Sequence, residues 1–242
     1  MAPAPKFSPQ VEEYRILKAA RECIEETSLL DFTMSAVAKK AEISMGSVYK
    51  HVRTKEDVLM ALAANMYQEM SKRFCQSTRL PLTLPERLVA GSLICPTQLQ
   101  SFSFGSHLEK LITNEAVLNR ASDEWVEKMI RAGSKMDDIF SDQIVRAIDE
   151  KELIVEAGQE DNICQQLSIG LWSMGVGFDQ VNYHLQGRQR IGYEYTDPFP
   201  LTVDHPFMQG IIRFINSFEW REAFDPARFD HVCQVLAENN LR

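Results

Sequence analysis

Residues 32–59 read FTMSAVAKKAEISMGSVYKHVRTKEDVL, and the punctuation of this stretch decides the fold. Thr33 offers an N-cap oxygen to a short helix whose inner face is Ala36, Val37 and Ala41 and which ends near Glu42. Ile43 is the apolar plug of a tight turn, and Ser44 caps a further short helix carrying Met45 to Lys50. Two short helices joined by a tight turn make the helix-turn-helix pattern. Thr54 caps again, with Asp57 three residues on as an imperfect capping box, and opens a long helix from Lys55 past Met70 towards Gln76.

Outward from this stretch the pattern stays helical. Val11, Tyr14, Leu17, Ala20 and Ile24 recur at three- and four-residue steps, which predicts an apolar stripe on a first helix that starts after Ser8-Pro9 and closes near Ser28. Pro81 and Pro85 interrupt helical continuity. Beyond them, helices are predicted near Glu86 to Leu99, His107 to Ala121, Ser122 to Leu153 (with Gly133 as a candidate break) and Glu160 to Leu185. Gln186 to His205 carries Gly, Asp-Pro and Phe-Pro signals and reads as a long loop, and strand-like alternation is confined to Ile191 to Val203. Helices at Pro206 to Arg221 and Pro226 to Asn239 complete an all-α chain. A three-helix N-terminal domain over residues 1–60 is expected, joined by the helix at about 55–76 to a larger helical domain over 61–242.

Composition narrows the function. The 242 residues are 45% hydrophobic and 25% charged, ordinary values for a chain with a packed core. No run of about 18 uncharged apolar residues occurs, and Met1 to Pro9 lacks the apolar stretch of a secretory signal, so a cytoplasmic address without membrane contact is expected. Cys23, Cys75, Cys95, Cys164 and Cys233 stand singly, which suits reduced, mostly buried thiols and no zinc site. The net charge of −8 argues against nucleic acid, but its distribution does not. Lys39, Lys40, Lys50, Arg53 and Lys55 against Glu42 give residues 33–55 a positive patch on an otherwise acidic chain.

These residues resemble the signature of the tetracycline-repressor (TetR) family over roughly Ile16 to Leu62. The resemblance rests on Ala19-Ala20-Arg21, Thr33, Val37-Ala38, Ala41, Ile43-Ser44, Gly46-Ser47, Val48-Tyr49, His51 and Lys55-Glu56 with Leu59. It implies that the Ser44 to Lys50 helix enters the major groove of double-stranded operator DNA, where the small Ser44, Gly46 and Ser47 admit the backbone to the base edges. Tyr49, His51 and Lys55 align with residues that clamp the phosphate backbone, Thr33 with the start of a helix that touches phosphate, and Lys50 is free to reach a base or phosphate. Met45 departs from the usual polar readers, and against a base it would recognise a thymine methyl or groove shape. Val37, Ala41, Ile43 and Val48 are assigned to packing, and Lys39 and Lys40 to a solvated face.

The resemblance further implies a repressor that binds a near-palindromic operator as a homodimer and is released by a small effector. Dimerisation would use the helices at about 160–185 and 206–221, where Gly170, Gly175 and Gly177 allow close approach and Ile211, Ile212, Phe214, Ile215 and Phe218 form an apolar band. Phe102, Phe104, Trp125, Met129, Phe140, Trp172, Met174, Phe178 and Tyr183 are candidate lining for a largely apolar effector, and equally candidate core. His184, His205 and His231 lie far apart, no H-E-x-x-H or G-x-S-x-G occurs, and Gly175 and Gly177 lack the third glycine of a dinucleotide loop, so no enzyme, metal or cofactor is expected. Two rivals stay open: a helical small-molecule-binding or enzyme-like protein without specific DNA binding, and a DNA-binding activator or nucleoid component.

Overall fold

The computed structural model describes residues 7–94, 99 and 101–242; Cys95, Met1 to Lys6 and most of the end of the helix expected to reach Leu99 lie outside the described residues. The described residues form eleven α-helices and no strand: α1 (Pro9–Glu26), α2 (Met34–Ala41), α3 (Met45–His51), α4 (Lys55–Ser77), α5 (Leu84–Leu93), α6 (Gly105–Ile112), α7 (Glu115–Leu118), α8 (Asp123–Asp149), α9 (Glu160–Arg188), α10 (Pro206–Ile215) and α11 (Phe229–Glu238). The expected caps do the starting. Ser8 accepts from the Val11 N–H, Thr33 from Ala36 at 3.2 Å and Ser44 from Ser47 at 3.1 Å. α5 has a complete capping box, the Glu86 N–H on the Thr83 hydroxyl at 3.4 Å and the Thr83 N–H on the Glu86 carboxylate at 3.0 Å.

The chain gathers into two compact units, one within residues 1–71 and 100–135, the other within 72–99 and 136–242. α4 and α8 each begin in the first and end in the second. In the first, α1, α2 and α3 pack over Ile16, Ala20, Val37, Val48 and Val58, all fully buried, and Leu108 and Ile112 of α6 are buried as well. In the second, α5 packs on α10 and α11, and α10 on α9, around Val89, Ile144, Leu167, Met208, Ile211 and Val232. A boundary drawn at residue 60 does not foresee that residues 100–135 fold with the N-terminal helices.

Several local expectations are corrected. The buried face of α1 is Ile16, Leu17, Ala19, Ala20, Cys23 and Ile24, whereas Val11 and Tyr14 are exposed: the stripe is rotated by part of a turn, because α2 and α3 cover only this side. The helix expected from His107 to Ala121 is divided at Thr113, where Asn114 caps α7 by accepting from the Ala116 N–H at 2.9 Å. α8 runs unbroken through Gly133, and an added Cβ there would stand 3.6 Å from the Tyr67 ring. α9 continues past Leu185 to Arg188, and residues 191–203 form no strand. The helix at Pro206 stops at Ile215, since the Asn216 amide holds both the N–H and the carbonyl of Phe224 and the Trp220 indole donates to the Ile215 carbonyl at 2.7 Å. Cys23 is buried, but the free thiols Cys75, Cys164 and Cys233 are only half-buried.

Candidate nucleic-acid interface

The turn between α2 and α3 is set by backbone sterics and one arginine. Glu42 caps α2 in the left-handed region (φ 56°, ψ 38°), a conformation that costs a non-glycine residue roughly 1 kcal/mol. Arg15 of α1 secures it, donating from Nε to the Ala41 carbonyl at 2.9 Å and from Nη2 to the Glu42 carboxylate at 3.0 Å. Ile43 then drops into the core, and fully buried Val48 and Val52 fix the inner side of α3. Gly46, Tyr49 and Lys50 of this short helix are left to the outside.

That outer face is the one the sequence singled out. Ser44, Gly46, Tyr49 and Lys50 are exposed, Tyr49 at 47%, with Met45 and Ser47 half-buried between them. A Cβ added at Gly46 would meet only the Ser44 hydroxyl, at 4.0 Å, so the backbone of the first turn is open to a large flat partner. Thr33 is exposed at the start of α2. Lys39, Lys50 and Arg53 are exposed cations, while Lys40 is held by Glu26 and Glu22 of α1. Arg53, one residue beyond the cap of α3, is a cation the sequence reading counted in the patch but did not place among the contacts.

His51 and Lys55 sit differently from the other candidate clamps. The His51 Nε2 lies 3.1 Å from the Glu12 carboxylate of α1, both side chains being close to nine-tenths buried. The Lys55 ammonium donates to the Leu30 carbonyl at 2.5 Å and lies over the Phe32 ring. Both side chains therefore fasten α3 and α4 to the α1–α2 layer.

Below this face the start of α8 holds the α3–α4 junction. Asp57, fully buried, takes the Arg53 N–H at 2.8 Å and the Thr54 N–H at 3.3 Å on one oxygen, and the Ser122 N–H at 2.6 Å on the other. The Trp125 indole donates to the His51 carbonyl at 2.9 Å, the last turn of α3. Burial by itself would raise the Asp57 carboxyl, but the Ser122 and Arg53 N–H groups, the Ser122 hydroxyl and the Thr54 N–H outweigh it and hold the group below the usual carboxylate range. The sequence showed Asp57 only as a cap, and nothing in it linked residue 57 to residue 122.

The candidate effector residues divide between the units. Phe102, Phe104, Trp125 and Met129 belong to the first, where Phe102 and Phe104 stack at 5.2 Å and Trp125 braces α3. In the second, Phe178 stacks on Phe207 at 4.1 Å, Met174 and Tyr183 are half-buried and Trp172 is 67% exposed. Phe140 alone among the nine lines the apolar opening between the end of α4, α5 and α8. Arg87 and Gln143, polar residues of that opening, carried no signal in the sequence. Among the described residues no cluster of three or more His, Cys, Asp or Glu is arranged to hold a metal, and no helix is long and apolar enough to cross a membrane.

Residues 16–62 match the sequence profile of the bacterial regulatory proteins of the tetR family. Among solved structures, the fold is similar to the transcriptional regulator FadR from Bacillus subtilis in complex with stearoyl-CoA (18% identity, 82% of this chain and 96% of that one, TM-score 0.50). It is also similar to the fatty acid degradation regulator FadR from Bacillus halodurans (15%, 82% and 96%, 0.51). The reduced form of E. coli NemR is a third (15%, 87% and 100%, 0.54). At these identities the likeness is one of fold. A comparison with curated protein sequences gives no match.

Proposed function

We propose that this chain, whose residues 16–62 match the profile of the tetR family of bacterial regulatory proteins, is a homodimeric repressor that binds a near-palindromic operator and is released by a small, largely apolar effector. The observation that carries the DNA reading is the open face of α3, where Ser44, Gly46, Tyr49 and Lys50 stand clear of the fold while Val48 and Val52 anchor the helix from behind. Ser44, Met45, Gly46 and Ser47 would face base edges. Tyr49, Lys50, Arg53 and Thr33 would meet phosphates, with Lys55 and His51 holding the reading head together.

The dimer reading is supported by α9. Of its 29 residues only Leu167 is fully covered, and Ile169, Trp172, Val176, Val181 and Leu185 are between 41% and 67% exposed. Ile169, Trp172 and Val176 stand three and four residues apart on one face, and an exposed apolar face on a water-facing helix needs a cover, which a second copy of the same helix supplies with the same chemistry. Two α3 helices held about 34 to 36 Å apart would then enter successive major grooves. An effector that shifts α4, whose first turn follows α3, changes that separation. Binding the DNA-incompetent form about 100-fold better, roughly 2.7 kcal/mol, is enough to change occupancy.

The test is fluorescence anisotropy on a duplex enriched from a random pool, from about 50 to 200 mM salt. About six phosphate contacts should cost roughly three decades of affinity over that range. Lys50→Ala should flatten the slope and Tyr49→Ala weaken binding throughout. Trp172→Glu should convert a dimer to a monomer in light scattering and lose operator binding with it. If no duplex is enriched, or binding ignores salt, the regulator reading is overturned in favour of a small-molecule-binding protein without DNA contact.

A further inference from the structure

A helix of seven residues is marginal on its own, so α3 takes its direction from what holds it. On the side of α1 these are Val48, Val52 and the His51–Glu12 pair. At its C-terminal end, three helix ends meet around one carboxylate. The Asp57 oxygen that takes the Arg53 and Thr54 N–H groups closes a capping box at the start of α4, because the Thr54 hydroxyl accepts the Asp57 N–H at 2.9 Å. The other oxygen takes the Ser122 N–H, and the Ser122 carbonyl accepts the N–H groups of Trp125 at 3.0 Å and Val126 at 3.1 Å in the first turn of α8. The N-terminal ends of α4 and α8 thus share one buried anion, the charge that both helix dipoles favour. The end of α3 joins them through the His51 carbonyl, one of the acceptors a helix leaves open at its last turn, which takes the Trp125 indole N–H.

Residues 120–125 therefore bond to both sides of the α3–α4 junction, with Arg120 adding an ion pair to Glu56 at 3.8 Å. They do so without covering Ser44, Gly46, Tyr49 or Lys50, which stay exposed. The hold is as firm as the helix behind it. Trp125, Met129 and Ala132 are buried at helical spacing along α8, and Gly133 lets that helix come close enough to α4 for an added Cβ to stand 3.6 Å from the Tyr67 ring.

We propose that the head of α8 positions the recognition helix: through Asp57 and Trp125, residues 120–125 set the direction in which α3 meets the operator. Neither side chain touches DNA, so both are positioning residues. The inference rests on the reading of the protein as a DNA-binding regulator and adds residues to that same site. An α3 released from this hold samples several directions, and operator affinity falls by the fraction of them that fits the groove. The bound complex itself is unchanged, so the number of phosphates it neutralises, and with it the salt slope, stays as in wild type.

The experiment is anisotropy of the full chain on the enriched duplex for Trp125→Phe and Asp57→Asn, beside Thr83→Ala. The last breaks the capping box of α5 in the second unit and controls for lost stability. Affinities are compared at a temperature where circular dichroism shows all three fully folded. Trp125→Phe keeps a buried ring and should weaken binding about fivefold or more at the wild-type salt slope. Asp57→Asn should weaken it further, and Thr83→Ala should leave it unchanged. The second readout is exchange of the indole N–H groups. By linkage, saturating duplex should slow the Trp125 indole about fivefold relative to that of Trp220, which is bonded to the Ile215 carbonyl in the second unit. The proposal is overturned if Trp125→Phe and Asp57→Asn bind like wild type or like Thr83→Ala, or if duplex leaves the Trp125 indole unchanged against Trp220. A flattened salt slope overturns it too, since that would make these residues phosphate contacts. Wild type that binds its duplex while these readouts fail sinks only the positioning role, whereas failure to enrich any duplex sinks the regulator and this inference with it.

Discussion

Replacing Asp57 by Ala removes the one carboxylate that serves three backbone N–H groups of two distant segments. Two of its bonds are short, 2.6 Å to Ser122 and 2.8 Å to Arg53, and the third, to Thr54, is 3.3 Å. A hydrogen bond to a charged group contributes about 1.5 to 3 kcal/mol net, so two good ones give about 3 to 6 kcal/mol, reduced by the desolvation of the carboxylate that the variant no longer suffers. A loss of about 3 kcal/mol is expected, which lowers the urea midpoint by about 1 M at a slope of roughly 3 kcal/mol/M. Asp57→Asn keeps one acceptor and sets an NH2 against an N–H, so it should lose about half as much. Local opening should show directly: the Ser122 and Arg53 amides ought to exchange about a hundredfold faster in Asp57→Ala. The pH dependence follows from the depressed carboxyl. The contribution is full above the unfolded value of about 3.9 and is lost as pH falls through the lower folded value, so wild type and Asp57→Ala should converge in stability towards low pH. A midpoint shift under about 0.3 M, or unchanged exchange at Ser122, would refute the assignment of Asp57 as the fastening between α4 and the start of α8.

Three further outcomes are expected. Trp125→Phe keeps a buried ring but loses the indole bond to the His51 carbonyl, at a cost of about 1 kcal/mol, and should be non-additive with Asp57→Ala in a double-mutant cycle because both act on residues 51–57. Gly170→Ala puts a Cβ 2.2 Å from Phe214 Cζ; after the helix gain of up to about 1 kcal/mol it should still destabilise by about 1 to 2 kcal/mol, and Phe214→Leu should rescue it, so a neutral or stabilised single variant would show that the ring swings freely. Thr83→Ala breaks the capping box of α5 and should lower the unfolding free energy by about 1 kcal/mol, read as a fall in Tm, with operator affinity unchanged.

Much of the reading head was legible. Thr33, Ser44 and Thr54 cap helices through side-chain oxygens within three residues along the chain, and such local chemistry depends on little else. The apolar positions Val37, Ile43 and Val48 likewise bury because a helix of seven or eight residues has few ways to turn. The stripe on α1 was misplaced because Val11 and Tyr14 share the period but not the partner. Trp125 and Trp172 show the same limit from the other side: both read equally as pocket lining or core, and only the structure shows that Trp125 is buried and braces α3 while Trp172 faces outward on α9.

The sequence by itself therefore determined the helical order, the helix-turn-helix and the resemblance of residues 16–62 to the tetR family profile, since caps, turns and amphipathic period are written in neighbouring residues. Only the tertiary structure decided that His51 pairs with Glu12, that Asp57 holds Ser122, and that Arg87 and Gln143 come to one apolar opening. These partners stand 39, 65 and 56 residues apart in the chain, and the packing of whole helices sets their directions and distances. No local preference carries that information, because a side chain's neighbours across a core depend on every helix that shapes it.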